Sequence, residues 1–179
     1  GYSSPVVKFT SGEDSSSELS GFSIQGGQGE REDSSSTSGC YSDYTCYYYY
    51  TTYYGGGIYI DGASPSLSNL IIESNTLSKY STYESPSWSY YYTNSYGGGM
   101  FVSGSVLELV DVHFVDKQAD QGGGLYVDED AEVSSVQSYI VTNDAGAQAQ
   151  RSRPDTRQRS PPHTSAGAKP PPWATASRW

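Results

Sequence analysis

Three glycines followed by an apolar residue, an aromatic and a second apolar residue occur three times in this chain. The copies are Gly55-Gly56-Gly57-Ile58-Tyr59-Ile60, Gly97-Gly98-Gly99-Met100-Phe101-Val102 and Gly122-Gly123-Gly124-Leu125-Tyr126-Val127. A motif that recurs in phase marks a repeat protein, whose units bury their apolar faces only against their neighbours. A flexible glycine linker would not need an apolar run at the same offset each time. Glycine at one place in every unit predicts a tight corner, where positive φ or close backbone approach excludes a side chain.

The second half of the unit repeats too. Leu67-Ser68-Asn69-Leu70-Ile71-Ile72-Glu73-Ser74-Asn75 aligns with Leu19 to Gly27 and with Leu109 to Lys117. The shared pattern is apolar, two residues, apolar, one residue, apolar, two residues, then Asn, Gly or Lys. In the last unit Ile140-Val141-Thr142-Asn143 keeps the ending, while Val133 and Val136 stand about one residue out of register. Asn75 and Asn143 close their strands, and Asn suits a left-handed backbone there. Gly27 and Lys117 interrupt any Asn ladder.

The glycine runs begin at 55, 97 and 122, so one interval is 42 residues and the next 25. The excess lies in residues 78–96, which read as an inserted loop; residues 28–54 read as another. Runs such as Ile58-Tyr59-Ile60 have strand period and composition. No segment sustains a helical period, and Ser, Thr, Tyr and Gly outnumber helix formers. A unit of about 25 residues with two or three short strands predicts one coil of a parallel β-helix.

These two motifs in register resemble the repeats of right-handed parallel β-helices of the pectin-lyase-like superfamily. They are most similar to the Gly-Gly-x-Ile and Phe-x-x-Asn repeats of polymorphic outer-membrane proteins. The resemblance implies an all-β, right-handed solenoid of about four coils with two inserted Tyr-rich loops. It would occupy residues 1–145 and be followed by a tail over 146–179. It does not imply an activity, because one architecture carries lyases, hydrolases, adhesins and fibres.

Charge divides the chain at the same boundary. Residues 146–179 hold six basic residues, Arg151, Arg153, Arg157, Arg159, Lys169 and Arg178, against Asp155 alone. The rest of the chain carries nineteen acids and four bases, Lys8, Arg31, Lys79 and Lys117. An acidic body excludes nucleic acid as its partner. The Pro-, Ala- and Arg-rich tail cannot bury a core and is expected to be a disordered linker. No apolar stretch is long enough for a membrane span. The chain opens on Gly1 and reads as a strand by residues 5–9, as a processed chain or a piece of a longer one would. Cys40 and Cys46 sit in a polar insert with five residues between them, which predicts a local disulfide and an oxidising, extracellular or cell-surface location.

Tyrosine concentrates in the inserts: Tyr41, Tyr44, Tyr47, Tyr48, Tyr49, Tyr50, Tyr53 and Tyr54 in the first, and Tyr80, Tyr83, Tyr90, Tyr91, Tyr92 and Tyr96 with Trp88 in the second. Both inserts end at a glycine corner, so stacked coils would place them side by side as one uncharged aromatic patch. Tyr47, Tyr48, Tyr49, Tyr50, Tyr53, Tyr54, Trp88, Tyr90, Tyr91 and Tyr92 are therefore the candidate contact residues, for a polysaccharide or a protein partner. Equally, the inserts could pack on the solenoid wall and cover it.

Catalytic signals are weak, and no catalytic residue is assigned. Asp111, Asp116 and Asp120 share a coil and could supply two carboxylates for glycoside hydrolysis, but spaced acids usually form a solvated face. His113 alternates with Val112 and Phe114, so it points outward. Asp128, Glu129, Asp130 and Glu132 offer oxygen ligands for calcium at no standard spacing, and read rather as an acidic turn; no cofactor or metal is assigned. The expectation is a non-enzymatic structural or adhesive module that stacks on copies of itself or on flanking repeats. The alternative is a polysaccharide-binding or polysaccharide-cleaving domain with the tyrosines as its sugar platform.

Overall fold

A computed structural model describes residues 3–40, 44–78, 81–85, 88–141 and 143–145. The basic tail over 146–179 lies outside the described residues, as do Tyr41, Lys79 and Tyr80. Every regular element among the described residues is a strand. The first five are β1 (Val7–Phe9), β2 (Glu18–Ser20), β3 (Ser23–Ile24), β4 (Glu30–Cys40) and β5 (Tyr44–Tyr54). Then come β6 (Ile58–Asp61), β7 (Ser66–Glu73), β8 (Ser81–Ser85), β9 (Ser89–Tyr96), β10 (Met100–Ser103) and β11 (Val106–Val115). The last are β12 (Gln118–Ala119), β13 (Leu125–Val127), β14 (Glu132–Val136), β15 (Tyr139–Val141) and β16 (Asp144–Ala145).

Two parallel sheets form the body. One runs β1-β6-β10-β13; the other holds β2 and β3, then β7, β11, and finally β14 with β15. Each pass of the chain adds the next strand to each sheet, a progression compatible with a β-solenoid. Pairing follows the aligned motifs residue for residue. Val7, Ile58, Met100 and Leu125 form one column. Leu19, Leu67 and Leu109 form another, and Ile24, Ile72, Phe114 and Ile140 a third. The slip in the last unit is also present: Val136 pairs with Val110, which leaves Ser135 opposite Leu109.

Alternation sends Ile58, Ile60, Met100 and Val102 of one sheet against Leu67, Leu70, Ile72, Leu107, Leu109, Val112 and Phe114 of the other. All are buried. A few large aliphatic side chains per coil suffice because the core is a thin column. On the outer face of the first sheet, Tyr59, Phe101 and Tyr126 stack at 5.5 and 5.6 Å with interplanar angles of 8° and 5°.

Each glycine of a triplet has its own reason. Gly55, Gly97 and Gly122 take φ of 58°, 68° and 59°, where a side chain is strained. At the second position a Cβ would run into the backbone of the next coil: Gly56 into the Gly98 carbonyl, and Gly98 into the Gly123 carbonyl at 2.5 Å. At the third position the carbonyl of the next coil again stands in the way for Gly57 and Gly99, and a side chain closes in beside it. A Cβ on Gly57 would lie 2.9 Å from Asn75 Nδ2, on Gly99 2.5 Å from Lys117 Cδ, and on Gly124 3.1 Å from Asn143 Nδ2. The two halves of the repeat therefore fit into one another across the coil.

The Asn75 position differs from expectation. Asn75 does not take the left-handed backbone; the preceding column does, with Gly26, Ser74 and Asp116 at φ of 78°, 51° and 54°. That bend turns Asn75 inward, where it donates to the Ile24 carbonyl at 3.0 Å and accepts from the Gly27 amide at 2.9 Å. Asn143 donates likewise to the Phe114 carbonyl, at 3.1 Å. A buried amide that ties two coils is worth more here than a tolerated bend. A second left-handed column runs through Gly21, Asn69, Asp111 and Gln137, at φ of 78°, 51°, 55° and 52°.

Gly98→Ala should lower unfolding stability by about 1–3 kcal/mol, the usual cost of forcing atoms into a packed site. Gly39→Ala, whose Cβ meets nothing within 4 Å, should change it by less than about 0.5 kcal/mol. Urea unfolding of the two variants against the parent checks both.

Candidate functional site

The two inserts are not loops. β4 pairs antiparallel with β5, and β8 antiparallel with β9, as two hairpins. The hairpins join through parallel pairing of β5 with β9, giving the order β4-β5-β9-β8. The physical cause is legible in the composition. Tyr and Thr runs have high strand propensity, and each run leaves its hairpin straight into a glycine corner of adjacent coils, which sets them side by side. The Ser-rich stretch over 34–39 has little drive of its own and is recruited by pairing. Cys40 and Cys46 are disulfide-bonded across β4 and β5, consistent with an oxidising compartment.

In-register parallel pairing stacks like on like. Tyr48 faces Tyr90 at 5.2 Å between ring centroids, Tyr49 faces Tyr91 at 4.9 Å and Tyr50 faces Tyr92 at 5.1 Å. Tyr54 faces Tyr96 at 5.6 Å, and Tyr44 lies on Trp88 at 5.9 Å. The four Tyr–Tyr pairs lie within 15–16° of parallel. Alternation splits them between the faces of the sheet. One face carries Tyr47, Tyr49 and Tyr91, all exposed, with Tyr53 in step. The other carries Tyr48, Tyr50, Tyr90 and Tyr92, which are half-buried. Tyr54 and Tyr96 root this second rank in the body, meeting Phe101 and Tyr126 edge to face at 4.8 and 5.0 Å. Each stacked pair adds about 0.5–1.5 kcal/mol beyond burial.

This geometry brings nine of the ten candidate residues into one sheet, with Trp88 at the turn that leads into β9, and changes what they offer. Paired ring faces are turned on each other, so edges and hydroxyls meet the solvent. Burial raises Tyr54, Tyr59, Tyr90 and Tyr126 above the usual phenol range, with help from nearby carboxylates or hydrogen bonds to them. Tyr59, beside Asp61 and Glu30, is pushed up to about 12.

The candidate carboxylates do not gather. Asp111 and Asp116 sit at left-handed bends, while Asp120 is buried and accepts a 3.0 Å hydrogen bond from the Ser95 hydroxyl. His113 Nε2 lies 3.0 Å from Asp111 Oδ1 without hydrogen-bonding geometry, and its ring meets Tyr139 edge on. Asp130 caps the Gly104 amide and Asp128 the Glu129 amide. Among the described residues no three His, Cys, Asp or Glu side chains converge on a point that could hold a metal ion. No helix among them is long and apolar enough to cross a membrane.

Sequence reasoning passed over Lys117. It is 2% exposed, stands in the column of Asn75 and Asn143, and donates from Nζ to the Val115 carbonyl at 3.0 Å. Its stem fills the room left by Gly99, and Nζ lies 5.5 Å over the Phe114 ring. Burial lowers the amine to about 8, partly offset by Glu73 and Asp116. The signal was present: a lysine at an interior position of the repeat. A shallow hollow of about 230 Å³ opens beside it, lined by Ser74, Thr76, Asp116, Gln118 and Asp144.

Comparison with protein-family models, with curated proteins and with solved structures finds no match for this chain. The resemblance to β-helix repeats therefore rests on the motifs and on the parallel register they produce.

The lysine makes a pH prediction. Its folded value of about 8 lies below the ordinary 10.5, so between these the unfolded chain binds more protons and stability rises with pH. Lys117→Met removes this dependence. The stability gain of the variant over the parent should be largest below pH 8 and shrink steadily towards pH 10.5. Thermal unfolding of both proteins across that range is the check.

Proposed function

We propose that the chain is a right-handed parallel β-helix of about four coils that serves as a non-enzymatic, extracellular or cell-surface structural and adhesive module. It stacks end to end, on copies of itself or on flanking repeats of a longer chain. The observation that supports this reading is the state of the two ends. Ile140, at the end of the Ile24–Ile72–Phe114 column, is 60% exposed, and Tyr139, Val141 and Val127 beside it are exposed too. At the opposite end Phe22 is 58% exposed, Val6 is exposed, and Val7, Phe9 and Leu19 are only partly buried.

Among the described residues both ends also carry an open backbone edge. β1, β2 and β3 pair on one side only, and so do β13, β14 and β15. Unpaired strand edges flanked by apolar side chains are templates for a further strand. Because the two ends are different surfaces, one end of a copy meets the other end of the next. Such head-to-tail contact grows without closing.

The purified protein should grow in size with concentration in sedimentation velocity and form unbranched threads under the electron microscope. Ile140→Asp and Phe22→Asp should each hold it as a monomer, while Tyr91→Ser leaves growth intact. Monomers at every concentration in the parent would sink the stacking reading.

The second reading, polysaccharide binding or cleavage, draws on the exposed Tyr47, Tyr49 and Tyr91. Tyr47 sits opposite Ser89 and Thr37, so small side chains flank its ring. On this reading a glycan array gives a sugar ligand, and Tyr47→Ala lowers affinity for it at least about tenfold, the loss of one good stacking contact. Binding that survives Tyr47→Ala removes the tyrosine platform from consideration.

A further inference from the structure

We propose that Tyr83 and Tyr91 are a site of oxidative tyrosine–tyrosine cross-linking, independent of what the protein binds. Tyr83 lies on the edge strand β8, directly opposite Tyr91 on β9. Their ring centroids are 5.9 Å apart and the rings are tilted by 42°. They are 64% and 44% exposed, so an oxidant reaches both.

The tilt separates this pair from the others. In Tyr48–Tyr90, Tyr49–Tyr91, Tyr50–Tyr92 and Tyr54–Tyr96 the rings lie within 15–16° of parallel. A biaryl bond joins two rings at their edges with a twist between them, and face-to-face rings must swing apart to reach that shape. Tyr83 and Tyr91 already stand part-way towards it. The edge-to-face pairs at the root of the sheet, Tyr54–Tyr59 and Tyr96–Tyr126, have the angle but are half-buried.

The chemistry uses hydrogen peroxide as the oxidant, delivered through a peroxidase. Each phenol gives up one electron and one proton to become a phenoxyl radical. The two radicals join through the ring carbons ortho to oxygen, forming one C–C bond. Each ring then regains aromaticity as its ortho C–H proton moves to oxygen. The product holds two hydrogens fewer than the starting pair, and the peroxide takes up the two electrons and two protons to leave two waters. A disulfide in the same sheet is consistent with surroundings where such an oxidant persists. The bond would tie the edge strand to the sheet and close the one hairpin that lacks a covalent link among the described residues.

The test treats the whole chain, dilute, with horseradish peroxidase and hydrogen peroxide, and follows it by intact mass and by sequencing of linked peptides. The expected result is a monomer lighter by two hydrogens, with Tyr83 joined to Tyr91. Tyr83→Phe and Tyr91→Phe each abolish it, whereas Tyr49→Phe leaves its yield unchanged. All three variants keep the ring, so the sheet is preserved. The proposal is overturned by no intramolecular product, by products only between molecules, or by a linked product that persists in Tyr83→Phe.

Discussion

The whole molecule hangs on how closely one coil approaches the next at the glycine corner. The Gly56 and Gly98 amides donate to the Gly97 and Gly122 carbonyls at 3.0 and 3.2 Å, and the space a Cβ would need is filled by backbone. That contact fixes the axial distance between coils and leaves one permitted register. Every other column follows from it. Aliphatic side chains meet aliphatic side chains, left-handed bends fall on left-handed bends, and the third glycine leaves room for Asn75, Lys117 or Asn143.

The same register builds the tyrosine sheet. Tyr54 and Tyr96 immediately precede Gly55 and Gly97, so the two hairpins leave the body from stacked corners and cannot avoid pairing. Stacked rings then compensate for a sheet that extends beyond the core. Ring stacking and body register are one constraint expressed twice: outside the wall through Tyr59, Phe101 and Tyr126, and beyond it through the hairpin ladders.

Much of this was legible in the sequence because parallel pairing of successive repeats converts repeat alignment directly into register. The alignment of Leu19, Leu67 and Leu109 in the sequence is the register that the strands adopt, and the one-residue slip at Val136 is visible there too. Three things could not. Strand pairing of the inserts was hidden because Ser34 to Gly39 has no strand preference of its own and pairs only because Tyr47 to Tyr50 lies beside it. The role of Asn75 was misassigned because its inward turn depends on the bend at Ser74, which composition does not announce. Lys117 was passed over because lysine is ordinarily a surface residue, and only the stacked position exposes its burial. The candidate contact tyrosines were found by density alone, and their mutual stacking needed the register.

Amide hydrogen exchange at the glycine triplets tests the central claim most directly. If the corners are stacked as described, the amides of Gly56, Gly57, Gly98 and Gly99, each bonded to the neighbouring coil, exchange only through global unfolding. Their protection would then match that of core amides such as Ile58 and Met100. Triplet amides that exchange at the rate of an unstructured peptide, while the core stays protected, would contradict the account.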